Sequence, residues 1–194
     1  MKHIDFSKDW KNDDFDYAYT MRWDRKPVFI QEADHVRNEK FGEGLAGYDY
    51  ISYVSKKKYS SGVKISAECS FDDYGAPLFV FADRLIEDEN GVFWYDEYYE
   101  VVLYEKGINV WHLYRNDSGT IVWDKLMSVE FDVSVKEKHT FSVRFEGKRM
   151  FIEAEGRKMT LLCENLYDSF HVGITACENI NRFYSMTVEE NAEE

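Results

Sequence analysis

Glu100 is the residue whose setting most suggests chemistry. It lies in Phe93-Trp94-Tyr95-Asp96-Glu97-Tyr98-Tyr99-Glu100-Val101-Val102-Leu103-Tyr104. A carboxylate in so aromatic a run would be partly desolvated, which raises its pKa toward that of a general acid. A surface or hydrogen-bonded structural glutamate is the plain alternative. Trp94, Trp111 and Trp123 offer flat faces on which a pyranose ring can stack, although tryptophan in a sandwich more often fills the core. His112 suits a proton-transfer partner for Glu100 in only one of two hairpin registers; a lone histidine is more often a hydrogen-bonded structural residue. His171 and Glu178 flank Val172–Cys177. Glu178 shares parity with Val172, Ile174 and Ala176, so either the strand has ended or the carboxylate is drawn toward something that needs it. An ion pair with Arg182 is the plain alternative there.

Other chemistries start low. The chain has no Ser-His-Asp order, no glycine-rich phosphate loop and no His-x-x-x-His pair. Asp13, Asp14 and Asp16 could together hold a calcium ion, since hard cations want several oxygens, but the spacing is not that of an EF-hand and a solvated loop is the better reading. No other cofactor is expected.

Glu100, Trp94, Trp111 and His112 sit on a hairpin. Phe93–Tyr104 and Ile108–Tyr114 are rich in β-branched and aromatic residues, and Gly107 supplies the positive φ a reversal needs. If Lys106-Gly107 is a two-residue turn, Tyr98, Glu100, Val102 and Tyr104 lie beside Arg115, Leu113, Trp111 and Asn109, with Val101, Leu103 and Val110 facing the other way. If Glu105-Lys106-Gly107 is a bulged three-residue loop, Glu100 faces His112 instead. Tyr98, Glu100, Asn109 and Trp111 are thus the candidate ligand-binding face.

The rest of the chain reads as strands. Asp49–Val54, the alternating Val63–Phe71 and the uniformly apolar Pro77–Ala82 precede the hairpin, the last as a central strand covered on both faces. Asn116-Asp117-Ser118-Gly119, Gly147-Lys148 and Gly156-Arg157 separate the hairpins that follow, and Val172–Cys177 with Phe183–Val188 close the pattern. Turn signals recur about every ten residues and no helical stripe appears, which indicates an all-β sandwich or barrel of about a dozen strands. The expected organisation is one domain over residues 1–194. Residues 1–47, including Met21-Arg22-Trp23, form a less regular portion with short strands and at most one helical turn, and 189–194 form an acidic tail.

Composition bounds the partners. With 37 Asp and Glu against 24 Lys and Arg, the formal charge of −13 disfavours nucleic acid. The one basic run, Lys56-Lys57-Lys58, reads as a solvated loop. No segment has signal-peptide or membrane-span character. Cys69, Cys163 and Cys177 are too scattered for a disulfide framework or a zinc site. A cytoplasmic protein with reduced thiols is expected.

Tyr98–Tyr104, Gly107–Trp111, the hairpins from Thr120 to Leu162, and the closing His171–Thr175 and Phe183–Val188 together resemble the concanavalin A-like lectin and glucanase superfamily over roughly residues 48–190. The resemblance implies a two-sheet antiparallel jelly roll whose concave face holds an oligosaccharide or polysaccharide fragment. The retaining glucanases of that superfamily carry Glu-x-Asp-x-Glu on one strand; the matching positions here are Asp96, Tyr98 and Glu100, with the central acid replaced. Asp96 and Glu100 share a face but stand on the order of 13 Å apart along a strand, whereas a retaining pair needs roughly 5–5.5 Å. Carbohydrate binding is therefore the leading expectation. A glycoside hydrolase or polysaccharide lyase using Glu100, with His112, His171 or Glu178, is the alternative, and a structural or partner-binding sandwich the third reading.

Overall fold

The computed structural model describes residues 1–20, 26–39 and 49–191. Met21-Arg22-Trp23, Tyr48 and Ala192-Glu193-Glu194 of the acidic tail lie outside the described residues.

The alternation of apolar and polar residues produces strands and no helix among the described residues. One sheet contains β1 (Lys2–Asp5), β3 (Ile30–Gln31), β4 (Val36–Arg37), β7 (Lys64–Phe71), β14 (His139–Glu146), β15 (Arg149–Ala154), β16 (Arg157–Leu162) and β18 (Asn181–Glu189). The other contains β2 (Phe15–Thr20), β5 (Asp49–Ser55), β6 (Tyr59–Ser60), β8 (Gly75–Ala82), β9 (Ile86–Glu87), β10 (Phe93–Tyr95), β11 (Tyr98–Tyr104), β12 (Gly107–Arg115), β13 (Ile121–Glu130) and β17 (Ser169–Glu178). The strands outnumber the expected dozen because β3, β4, β6 and β9 are two-residue pieces too short to show a period.

The larger sheet runs β13-β12-β11-β8-β17-β5-β2-β10-β9, with β6 beside β17; the smaller runs β16-β15-β14-β7-β18-β4-β3, with β1 beside β18. Every residue of β8 is buried, as its apolar run requires of a strand covered on both faces. Between the sheets, Phe79 stacks on Phe141 with ring centroids 4.1 Å apart, and Phe81 meets Phe145 edge-on at 4.7 Å. Cys69 lies in this core.

The larger sheet is strongly curled. Tyr95 on β10 and Tyr98 on β11 are five strands apart in the sheet, which on a flat sheet is about 24 Å. Their ring centroids are 4.8 Å apart. The face carrying these rings, away from the inter-sheet core, is therefore concave.

Polar segments expected to be solvated are paired. Lys56 meets Asp16 at 3.2 Å, Lys58 meets Asp83 at 3.4 Å, and Lys57 pairs with Glu190. Of the carboxylates considered for calcium, Asp14 is held by Lys2 and Asp16 by Lys56. The N-terminal portion contributes β1 to β4 and no helical turn among its described residues.

Candidate functional site

β11 divides its side chains between two environments. Val101 and Leu103 are fully buried in the inter-sheet core with Ile108 and Val110 of β12. Alternation then sets Glu100 and Val102 on the concave face. The hairpin adopts neither expected register: Glu100 lies opposite Trp111, Val102 opposite Asn109 and Tyr104 opposite Gly107, so Glu105 and Lys106 alone form the turn. Gly107 opens β12 with φ 127°, and a Cβ there would lie 2.0 Å from the Val129 carbonyl oxygen of β13. That approach admits only glycine. The slip from the two-residue register is two positions, so Glu100, Asn109 and Trp111 stay on one face and His112 goes to the other.

An open cavity of about 370 Å³ occupies part of the concave face. Tyr50, Tyr104, Trp111 and Trp123 give it aromatic walls, Ala76, Leu78 and Val102 an apolar floor, and Glu100, Asn109, Glu178 and Cys177 its polar atoms. Glu100 is 7% exposed and accepts a hydrogen bond from the Tyr50 hydroxyl. Oδ1 of Asn109 is buried without a hydrogen-bond partner. Trp111 is half-buried, with the Lys125 ammonium 4.7 Å from its ring centroid, and Trp123 is 55% exposed.

Glu178 reaches the cavity through its backbone. It ends β17 with φ 71°, and this left-handed turn breaks the alternation that would have placed it with Val172, Ile174 and Ala176 between the sheets. Arg182, its expected partner, is bound by Asp72 at 2.9 Å. Although Glu178 stands at an exposed rim, the surrounding walls desolvate it and raise its pKa.

The other candidates lie elsewhere. Tyr98 is fully buried, edge-on to Tyr95, and does not line the cavity. It belongs to the half of the concave face that the protein fills itself, where Ser52 is 2.6 Å from the Tyr95 hydroxyl and 2.8 Å from Thr175. His112 stacks on Tyr99 at 4.1 Å on the core-facing side, and burial lowers its pKa. His171 sits opposite Ala82, its Nδ1–H donating to the Ser55 carbonyl at 2.9 Å, and burial lowers its pKa as well. Neither histidine lines the cavity with Glu100. Trp94 donates through Nε1 to Asp88 at 3.1 Å, and Asp96 is held by Arg115.

Sequence reasoning missed Tyr50 and Tyr104. Tyr50 reads as an ordinary strand residue, and nothing local says that β5 curls round to meet β11.

The sequence matches no family model and no curated protein. In structure the chain is similar to the carbohydrate binding module CBM66 from Bacillus subtilis, with TM-score 0.62, 12% identity, and 85% of this chain and 92% of that one covered. It is also similar to the Bacillus licheniformis beta-glucanase, with TM-score 0.60, 9% identity and 95% of each chain covered. A legume lectin-like domain from Entamoeba histolytica gives TM-score 0.58 at 14% identity, over 91% of this chain and 90% of that one. The fold is thus the two-sheet jelly roll of the concanavalin A-like lectins and glucanases. The resemblance expected over residues 48–190 holds at the level of fold.

Proposed function

We propose that this chain is a carbohydrate-binding jelly roll that holds an oligosaccharide in the concave cavity. Trp123 and Trp111 supply stacking surfaces, and Glu100 and Asn109 supply hydrogen bonds. The observation that carries this reading is an open, aromatic-walled cavity containing a buried acceptor, Asn109 Oδ1, with no partner. Flat apolar faces beside a few fixed polar atoms match the alternating apolar and hydroxyl surfaces of a sugar. The similar folds are named as a carbohydrate binding module, a lectin-like domain and a glucanase, which supports a saccharide as the ligand.

Binding is favoured over hydrolysis by the placement of the carboxylates. Glu100 lies opposite Val80 and Glu178 opposite Gly75. Five residues along β8 is about 16 Å between their backbones, more than the two side chains can close to the roughly 5–5.5 Å between carboxyl groups of a retaining pair. Calorimetry against plant and bacterial oligosaccharides tests the proposal. Saturable binding that Trp123→Ala weakens is the expected result, and no binding at millimolar sugar overturns it.

A further inference from the structure

We propose that the cavity selects an amino sugar, a hexosamine with a free ammonium group, and that Glu178 reads its charge; this rests on the glycan-binding reading above. Among the described residues, the charged residues lining the cavity are both carboxylates, Glu100 and Glu178. Glu100 is buried and accepts from Tyr50. The Glu178 carboxylate has no hydrogen bond or ion pair among the described residues, and Arg182 is taken by Asp72. Its left-handed backbone, at φ 71°, is a conformation that side-chain-bearing residues adopt at a cost, and here that cost presents an unpaired carboxylate at the cavity edge.

Two further features suit a cationic ligand rich in donors. The buried Asn109 oxygen needs a donor, which a hydroxyl or an ammonium provides. Desolvation raises the Glu178 pKa, and an ammonium at pairing distance would offset that. A uronate or sulfated sugar at the same edge would instead bring an anion beside the Glu178 carboxylate, on a chain of net charge −13.

The test is calorimetry of the full chain at about pH 6, where a sugar amine is protonated. The ligands are two matched sets, gluco and galacto, each containing the neutral sugar, the free amine, the N-acetylated form and the uronate. The amine of the better set is expected to bind about fivefold to tenfold tighter than its neutral counterpart, as a partly screened ion pair would give, and the uronate weakest. Glu178→Gln is expected to bring the amine-to-neutral ratio to about one. Equal affinities, or an amine advantage that survives Glu178→Gln, overturn this inference and leave the glycan reading standing. Absence of binding by every sugar overturns both.

Discussion

The Tyr50 hydroxyl donates a hydrogen bond to Oε1 of Glu100 from three strands away, so β5 and β11 meet across the hollow of the curled sheet. On a flat sheet those strands would stand about 14 Å apart. Curvature and this contact therefore depend on each other. Tyr50→Phe leaves a buried carboxylate short of a donor and is expected to cost about 1–3 kcal/mol. Urea unfolding at neutral pH measures this, and a change within error would show that the contact carries no weight.

Trp123 and Leu103 separate binding from stability. Trp123→Ala removes an exposed side chain and should leave stability within about 0.5 kcal/mol while weakening sugar binding about tenfold or more. Leu103→Ala opens a hole between the sheets and should cost about 2–5 kcal/mol. Paired denaturation and calorimetry check both, and a large loss of stability in Trp123→Ala would contradict its assignment to the cavity.

His112 and His171 make the protein acid-sensitive. Both have pKa values lowered from the ordinary 6.5, His112 by burial and His171 chiefly by burial. As pH falls below 6.5 the unfolded chain takes up protons before the folded one, so stability present above that pH is lost as it passes through the folded values. Urea midpoints should fall between about pH 7 and pH 5. The fall should be shallower in a His112→Phe, His171→Gln double variant. A flat wild-type profile over that range would contradict the burial of these rings.

Glu178 acts in the opposite sense. Its folded pKa is raised above the ordinary 4.5, so ionisation above that pH destabilises the folded state. Glu178→Gln should gain stability at pH 7, with the gain vanishing below about pH 4. A loss of stability at pH 7 would mean that the carboxylate has a stabilising partner.

Much of the fold was legible because alternation of period two is a local signal. Val101 and Leu103 facing the core, β8 buried on both faces and the Asn116–Gly119 turn all follow from residues within a few positions of one another. The number of strands was not legible, since two-residue pieces such as β3 and β9 carry no period. The hairpin register failed because Gly107 was read as part of the turn, whereas it is glycine to let β13 approach. Face assignment survived that error since the slip was even, and Glu100, Asn109 and Trp111 stayed together. Tyr50 was hidden because its contact depends on the curl of the whole sheet. Tyr98 was misjudged for a different reason: Tyr95, three residues earlier in the chain, ends β10 and packs edge-on against it, a contact that strand alternation alone does not show.

The central claim, that the concave cavity between Tyr50 and Trp123 holds a sugar, is tested most directly by NMR titration of the indole N–H signals. With a bound oligosaccharide the Trp111 and Trp123 signals should shift together and saturate, while those of Trp10 and Trp94, which do not line the cavity, stay in place. Binding that leaves Trp111 and Trp123 unmoved, or that shifts Trp94 instead, would contradict the account.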